Sequence, residues 1–353
     1  MKKSLLALAV LGAFAGVASA QSSVTLYGTV DINAKYVKND AASRRVSEGT
    51  DGINSSQLVF SGKEDLGGGL YAGFNLNAGL SPDTGAAGGG NGATAPARFF
   101  SRRSTVSLWG NFGEVRLGRD YNPTFWNQTI FDAFGTNGVG SSLNDVQLTT
   151  GTLVRTDNAI SYFLPSGIGG VYGQVMVGAS ETHQTNPGRY VGGRVGFAAG
   201  PFDVSAAFAE QRLDTTPGVP QEKLWNIGGS YDLSVVKLMG YFHRETLSFG
   251  AVNARENRYS LSAVVPIGQS EIHVGYDASK LDNTGVTTKI DQFKAGYVYN
   301  LSKRTALYTT VSRLNNKNGT LAAIAGGNAF GSNGAIGTSP KSTGAEFGLR
   351  HFF

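Results

Sequence analysis

Residues 24–37 read V-T-L-Y-G-T-V-D-I-N-A-K-Y-V, and apolar and polar side chains alternate along this stretch. In an extended chain, one face carries apolar residues such as Val30 and Ile32, and the other carries Asp31, Asn33 and Lys35. The run exceeds an ordinary strand of about 5 to 6 residues and fits a tilted membrane strand of about 9 to 11. A face with this many polar residues would be unfavourable in the core of a β-sandwich. The pattern therefore indicates a strand that lies between lipid and a water-filled lumen.

The same alternation recurs along the chain and predicts sixteen strands. The four strands that follow the first are predicted near residues 53–63, 70–78, 99–109 and 115–117. Eleven more are predicted near residues 154–164, 171–180, 190–197, 203–211, 223–231, 236–243, 257–265, 271–277, 289–299, 305–314 and 342–353. Tight turns alternate with long loops between them, and an even count lets the first and last strands close a barrel. The expected fold class is therefore all-β: a 16-stranded antiparallel transmembrane β-barrel.

The composition is compatible with a membrane barrel. The chain has 50 Gly and only 10 Pro, as many short strands joined by Gly-rich turns require, and its mean hydropathy is −0.12. No run of about 18 apolar residues follows the first 20 residues, so the sequence predicts no membrane-spanning helix. Aromatic residues near strand ends, among them Trp225 and Tyr297, fit either interfacial girdles or ordinary strand packing.

The first 20 residues have the pattern of a secretory signal peptide. Lys2 and Lys3 precede a short apolar run, which ends at the A-x-A site of residues 18–20. Cleavage there would leave residues 21–353 as the barrel and lower the formal charge from +5 by two to +3. The remaining Lys and Arg are scattered along the chain and form no basic stripe, so the sequence does not indicate nucleic-acid binding. The chain has no Cys, so no disulfide is expected.

One long segment interrupts the alternation, from Asp120 to Gly151. It reads DYNPTFWNQTIFDAF followed by GTNGVGSSLNDVQLTTG, and it lies between the fifth and sixth predicted strands. Long irregular inserts in compact β-proteins are usually functional. We expect it to fold into the bore of the barrel as a constriction loop that sets what passes through.

Five motifs in order carry a resemblance that covers essentially the whole chain after the signal. They are VTLYGTVD, EDLGGGL, FGEVRLGRD, NLSKRTALY and GLRHFF, and together they resemble the general porins of β-proteobacterial outer membranes, especially the anion-selective porins of the Comamonas and Delftia group. The resemblance implies a homotrimer with one pore per subunit, surrounded by outer-membrane lipid and lipopolysaccharide. It also implies that the terminal Phe353 is an assembly signal read by the barrel-assembly machinery.

The same resemblance suggests which residues line the pore. In such porins the third external loop folds inward and narrows the bore, and arginines lie on the wall that faces it. The motif FSRRS puts Arg102 there, and LVRTDN puts Arg155 there. A third arginine of that cluster would fall at Gln57, and this departure weakens the expectation of strong anion selectivity.

Fixed charges at a narrow point of a pore select ions by sign, and arginines favour anions. The candidates for the basic side are Arg102, Arg103, Arg116 and Arg155. Asp132 and Asp145 of the insert, with Asp120 at its mouth, would then oppose these arginines and create a transverse field.

Two interpretations of the FSRRS segment stay open. Strict alternation from Val106 points Arg103 into the lumen, whereas the motif favours Arg102, and a β-bulge would reconcile the two. A simpler interpretation is that these arginines are solvated residues at a barrel rim.

The sequence gives little support to catalysis. The four His lie far apart without a zinc-binding spacing, no G-x-S-x-G elbow occurs, and the GxGxxA pattern at 67–72 leads into a strand. A Ser-His-Asp triad stays open, because triads are recognised by geometry. No cofactor is expected.

The predicted function is therefore a passive diffusion channel in the bacterial outer membrane for small hydrophilic solutes, with a mild to moderate preference for inorganic or organic anions. An alternative is an outer-membrane barrel enzyme or adhesin that acts through its external loops. A secreted β-sandwich is disfavoured, because nothing would cover the apolar face of so many strands.

Overall fold

The structure is a computed structural model that describes residues 23–40, 44–87, 98–148, 154–180, 189–213, 221–250, 252–325 and 340–353. The predicted signal peptide lies outside the described residues, as do most of the predicted low-complexity loop at 81–97 and the last residues of the long insert. Within the described part, the chain forms eighteen strands and one α-helix. No helix among these residues has the length and apolar character needed to cross a membrane.

The elements in chain order are β1 (Ser23–Asn39), β2 (Arg45–Thr50), β3 (Gln57–Gly67), β4 (Leu70–Ser81), β5 (Ala86–Ala87), β6 (Arg103–Gly110), β7 (Gly113–Tyr121), α1 (Pro123–Ile130), β8 (Arg155–Phe163), β9 (Val171–Gly178), β10 (Tyr190–Ala199), β11 (Phe202–Arg212), β12 (Gln221–Asp232), β13 (Lys237–Phe249), β14 (Val252–Ile267), β15 (Ser270–Asn283), β16 (Val286–Asn300), β17 (Thr305–Lys317) and β18 (Lys341–Phe352).

These strands form one closed antiparallel sheet of sixteen positions, as predicted. The barrel closes where β1 pairs with β18, from Thr29 opposite Phe352 to Asn39 opposite Ser342. Strands β2 and β3 together occupy one strand position, because both pair with β1. Strand β3 pairs with its first half, from Ser23 to Thr29, and β2 pairs with its second half, from Ile32 to Val37. The two-residue β5 pairs only with the end of β4 and adds no position.

The second barrel strand starts later than predicted, at Gln57 instead of residue 53. The side chain of Asp31 accepts hydrogen bonds from the backbone N–H groups of Gly52, Ile53 and Asn54 at 3.1, 3.0 and 2.8 Å. These donors are therefore unavailable to the ladder, and the strand is divided into β2 and β3. The alternation pattern does not reveal this bend, because a side chain from another strand causes it.

The turns at one end of the barrel are tight. Gly67, Gly68 and Gly69 have φ values of 84°, 61° and 78° between β3 and β4, a conformation that residues with a Cβ rarely adopt. The same end holds the short turns that follow β6 and β16 and both termini of the sheet. The long insert lies at the other end. Outer-membrane barrels have short periplasmic turns and longer external loops, so the insert belongs to the external end.

The polarity of the two faces of the sheet is the reverse of that in a water-soluble protein. Inward-facing polar side chains such as Asp31, Asn33 and Glu256 are at most 1% exposed. Outward-facing apolar side chains such as Ile160 and Val195 are 57% and 58% exposed. An outer surface of this kind is stable only in contact with lipid or another apolar partner.

Strands β13 to β16 extend further at the external end than predicted, to Phe249, Val252, Asn283 and Val286. Their outer halves, for example N-A-R-E-N-R at 253–258, are too polar to show apolar alternation. The backbone ladder continues nevertheless, because adjacent strands supply hydrogen-bond partners whether or not one face is apolar. These strand ends thus form a polar extension above the apolar band.

Candidate functional site

The described part of the long insert, residues 122–148 and residue 154, is called here the inserted loop. Asp120 and Tyr121, predicted as its first residues, instead complete strand β7, and β8 begins at Arg155. The loop opens with the helix α1, where the sequence predicted only irregular structure. Pro123 stands at the start of this helix, a position at which its fixed φ and missing N–H carry no penalty.

The inserted loop contacts the inner faces of strands on one side of the barrel. Asn127 Nδ2 donates to Asn226 Oδ1 on β12 at 2.9 Å, and Ala133 N donates to Ser262 Oγ on β14 at 2.9 Å. Further on, Val139 N donates to Glu346 Oε1 on β18 at 3.0 Å. We call the inner faces of β11 to β18 the covered wall, because the loop lies against them.

A buried lysine joins the loop to this wall. Lys294 Nζ on β16 lies 2.8 Å from Asp132 Oδ2 of the loop and 2.7 Å from Asp277 Oδ2 on β15. The side chains of all three residues are at most 1% exposed. Ser260 Oγ also donates to Asp132 Oδ2 at 2.7 Å. The charge of Asp132 is therefore balanced inside the wall and does not face the pore.

The second half of the loop is held by another carboxylate. Glu256 on β14 accepts hydrogen bonds from Gln147 N at 3.0 Å and from Leu148 N at 2.9 Å, and Ser279 Oγ donates to it at 2.7 Å. The adjacent Arg258 Nη2 donates to Gln128 Oε1 of α1 at 2.8 Å. Charge-assisted bonds of this kind fix the loop at both ends of its path across the wall.

Asp145 lies in the same buried interface. The residue is 1% exposed, and neither carboxyl oxygen has a hydrogen-bond donor among the described residues. Burial, reinforced by the nearby Asp277 charge, raises the pKa of Asp145 well above its ordinary value, although Arg258 opposes this shift. The folded protein thus binds a proton at Asp145 more tightly than an exposed aspartate would.

The positions of Asp132 and Asp145 differ from the sequence-based expectation of a transverse field across the bore. Asp132 and Asp145 were expected to face the arginines across the bore, but both point into the covered wall. Strand β14, which carries Arg258 and Glu256, lies on the opposite side of the sixteen-position barrel from β6, which carries Arg103. Asp132 holds the loop to the wall through Ser260 and Lys294, which lie on strands more than a hundred residues away in sequence.

The other side of the barrel carries the predicted arginines, and we call the inner faces of β3, β4, β6, β7 and β8 the open wall. Arg103 Nε lies 2.7 Å from Asp120 Oδ1, and Arg116 Nη1 lies 2.5 Å from Asp120 Oδ2. Glu114 binds Arg116 through two contacts of 2.8 and 3.0 Å. The side chains of Arg103, Arg116 and Glu114 are 21%, 16% and 26% exposed, so they remain accessible from the lumen.

Tyr121 connects three of the arginines. Arg155 Nη2 donates to the Tyr121 hydroxyl at 2.8 Å, and its guanidinium carbon lies 4.4 Å from the centre of the ring. Arg103 lies 5.8 Å from the same ring, and Arg102 interacts electrostatically with both Tyr121 and Arg155. The ring face and the hydroxyl stabilise cations that would otherwise repel one another. Tyr121 is a site residue that the sequence did not single out.

The structure brings both Arg102 and Arg103 into this cluster. Arg103 is opposite Asn77 of β4 and continues the inward series of Thr105 and Ser107, in agreement with strict alternation. Arg102 precedes the first residue of β6, and its backbone N donates to Asn77 O at 3.1 Å. The irregular step is found on the neighbouring strand β7, between Gly118 and Asp120.

Gln57 lies in the same belt, two strands from Arg103. Asn77 Nδ2, on the strand between them, donates to Gln57 Oε1 at 2.8 Å. Since adjacent strands are about 4.8 Å apart, Gln57 and Arg103 are separated by roughly 10 Å. An arginine at position 57 would thus extend the cationic belt by one strand.

Below this belt the open wall borders a cavity of about 320 Å³. Its lining is polar and mixed in charge, with Lys63, Asn75, Arg103, Glu114 and Arg116 among the residues that surround it. Four arginines and two carboxylates, Asp120 and Glu114, therefore give the open wall an excess of positive charge. Among the described residues, no cluster of side chains has the composition of a metal site.

A closed sixteen-position barrel with an apolar outer surface, a polar interior and a loop against the inner wall defines an outer-membrane pore. Comparison with known proteins identifies the family: residues 7–319 match Gram-negative porins, and the chain belongs to that family. It is 38% identical over 369 residues to outer membrane porin protein 32 of Delftia acidovorans, with all of both chains covered. It is also 30% identical to an outer membrane porin protein of Bordetella pertussis, again over the full length of both.

The solved structures agree with this assignment. An anion-selective porin from Comamonas acidovorans superposes with a TM-score of 0.82 at 36% identity, covering 94% of this chain and 100% of that one. The trimer form of OmpT, an outer membrane protein of Vibrio cholerae, superposes with a TM-score of 0.68 at 12% identity, a likeness of fold alone. The protein is thus a porin of the Gram-negative outer membrane.

Proposed function

We propose that this porin is a passive, water-filled diffusion channel for small hydrophilic solutes, with a mild to moderate preference for inorganic or organic anions. Solutes move down their concentration gradients, and the passage between the inserted loop and the open wall limits their size. Arg102, Arg103, Arg116 and Arg155 form the basic side of this constriction, and the neutral Gln57 lies in the same belt.

The observation that carries the proposal is the unequal distribution of charge between the two walls. The acids of the inserted loop are held against the covered wall, where Lys294 balances Asp132. Among the described residues, only two carboxylates, Asp120 and Glu114, form ion pairs with Arg102, Arg103, Arg116 or Arg155. An ion that passes between the loop and the open wall therefore meets a positive surface, which favours anions.

The preference is expected to be moderate. Asp120 and Glu114 already bind Arg103 and Arg116, and Gln57 replaces one possible cation of the belt. The full-length resemblance to an anion-selective porin supports the sign of the preference but does not set its strength. The Delftia and Bordetella relatives, which match over the full length of both chains, are porins, and this supports a channel and not an enzyme or adhesin.

Reversal potentials in a salt gradient across planar bilayers test this proposal, with wild type beside Arg155→Ser and Gln57→Arg. Arg155→Ser should shift the reversal potential toward cations, and Gln57→Arg should shift it toward anions. A unit charge about 7 Å from an ion in water changes the energy of an anion and of a cation by about 0.6 kcal/mol in opposite directions. Salt at about 0.15 M reduces this by roughly half, so the permeability ratio should change about two- to threefold. Stepwise conductance with selectivity that neither substitution moves would reject this constriction while leaving the channel intact.

The partners belong to the same proposal. We infer a homotrimer with one pore per subunit, embedded in outer-membrane lipid and lipopolysaccharide, and an assembly signal at Phe353 that the barrel-assembly machinery reads. The ring of Phe353 covers Gly28 of β1, and Phe353 N donates to Gly28 O at 3.1 Å, so the same residue supports barrel closure.

A further inference from the structure

The outer surface of β15, β16 and β17 carries an unusual row of like charges near the external end. Lys280 is directly opposite Lys289, and Lys289 is directly opposite Lys317. All three side chains point outward, since they alternate with inward residues such as Ile290 and Asn316, which are at most 1% exposed. Like charges directly opposite on neighbouring strands destabilise a sheet. The repulsion among these three lysines would be reduced by an anion bound from outside.

The acids nearby compensate only part of this charge. Asp282 Oδ2 lies 2.9 Å from Lys280 Nζ, and Asp291 pairs with Lys317. Lys289, in the middle of the row, forms no ion pair with any carboxylate in the described part of the chain. The same holds for Arg313, which faces outward four residues below Lys317 on β17. Four cations against two carboxylates leave an outward patch of net positive charge.

Aromatic rings lie directly below the lysines, on the side of the apolar band. Tyr276 and Phe293 are opposite each other on β15 and β16, four residues from Lys280 and Lys289, with ring centres 4.8 Å apart. Phe293 is in turn opposite Arg313, and its side chain is 55% exposed. Aromatic rings at this depth mark the boundary between the acyl chains and the head groups.

We infer that this panel of Lys280, Lys289, Lys317, Arg313, Tyr276 and Phe293 is a binding site for lipopolysaccharide, the phosphorylated glycolipid of the external leaflet. The lysine row and Arg313 bind phosphate groups of the head group, and the rings contact the first carbons of the acyl chains. Clusters of Lys and Arg beside the apolar region of a membrane protein attract anionic lipid head groups by this mechanism. The site concerns the outer surface of the barrel, so it depends on outer-membrane residence and not on the proposed ion selectivity.

The test is a titration of the purified, lipid-stripped, full-length barrel with lipopolysaccharide in detergent. The variant Lys289→Gln/Lys317→Gln should bind at least about tenfold more weakly than wild type, because each cation near the head groups adds to the attraction. The matched control, Lys303→Gln/Arg304→Gln, removes two exposed cations from the short turn between the same strands β16 and β17 at the opposite end. It should bind within about twofold of wild type.

Two further arms identify the chemistry. Lys289→Arg/Lys317→Arg should retain wild-type affinity, because the charge is preserved. Lipopolysaccharide stripped of its phosphates should bind wild type as weakly as the intact lipid binds the glutamine variant. Inorganic phosphate at the same concentration should not displace the intact lipid.

Equal affinity of the glutamine variant and wild type would overturn the inference, as would equal losses in the glutamine variant and the control. Undiminished binding of the dephosphorylated lipid would also overturn it. If the glutamine variant instead changes only the association between barrels, measured by native mass, the panel contacts a second copy of the chain and not a lipid. As a folding control, each variant is run on a denaturing gel with and without heating. The difference in migration between the two samples must equal that of wild type, so that unfolding is not mistaken for lost binding.

Discussion

The covered wall and the open wall are built from the same alternating strands, yet their charged side chains are in opposite situations. On the covered wall, Lys294, Arg258 and Glu256 are almost fully buried, and each contacts the inserted loop or its partners. On the open wall, Arg103 and Arg116 keep part of their surface in the lumen. Buried charges contribute to structure only while paired, whereas accessible charges act on passing ions. The same residue types therefore hold the loop on one side and, in the function we propose, act on passing solutes on the other.

The largest contrast is expected from removing one cation from each wall. Lys294→Met leaves Asp132 and Asp277 buried without their cation, and should destabilise the barrel by about 3–5 kcal/mol. The matched substitution Arg103→Met removes a partly accessible cation, and should cost less than about 1 kcal/mol. Urea unfolding of the two variants in detergent, followed by circular dichroism, measures both changes. Similar losses in the two variants would mean that the walls do not differ in this way.

A smaller contrast is expected from removing one carboxylate from each wall. Asp120→Asn leaves Arg103 and Arg116 less compensated in the lumen, and should raise the anion to cation permeability ratio about threefold. Asp132→Asn removes a charge that lies behind the loop, and should change the ratio by less than about half as much. Reversal potentials in a salt gradient compare the two. A larger shift for Asp132→Asn would show that the loop acids do face the ion path.

The smallest effect concerns the pH dependence of the loop interface. The raised pKa of Asp145 means that the folded protein binds this proton more tightly than the unfolded chain does. The contribution of Asp145 to stability is thus fully present below the ordinary value of 3.8 and is lost as pH rises through the raised pKa. Thermal unfolding midpoints of wild type and Asp145→Asn, measured from acid to alkaline pH, test this. Asp145→Asn should become progressively more stable relative to wild type as pH rises, and a constant difference would contradict the assignment.

The sequence predicts the architecture well because the alternation is a local property. In residues 29–36, the inward residues Thr29, Asp31, Asn33 and Lys35 are polar and the lipid-facing residues between them are apolar, and this requires no knowledge of the neighbouring strand. Alternation also points Arg103 inward without reference to other strands, as observed. It fails where a distant side chain intervenes, as Asp31 does at residues 52–54.

What the sequence alone determined is the number of strand positions in the barrel, the direction of their faces and the location of one long insert, because all three follow from periodicity and turn residues along the chain. The tertiary structure decided which acids of the insert meet which bases. Asp132 could have faced an arginine of the open wall, but Lys294, 162 residues further along, lies beneath it. Such pairings depend on how the barrel closes and where the loop crosses it. The sign of charge left in the lumen is therefore a property of the folded molecule and not of any single stretch of its sequence.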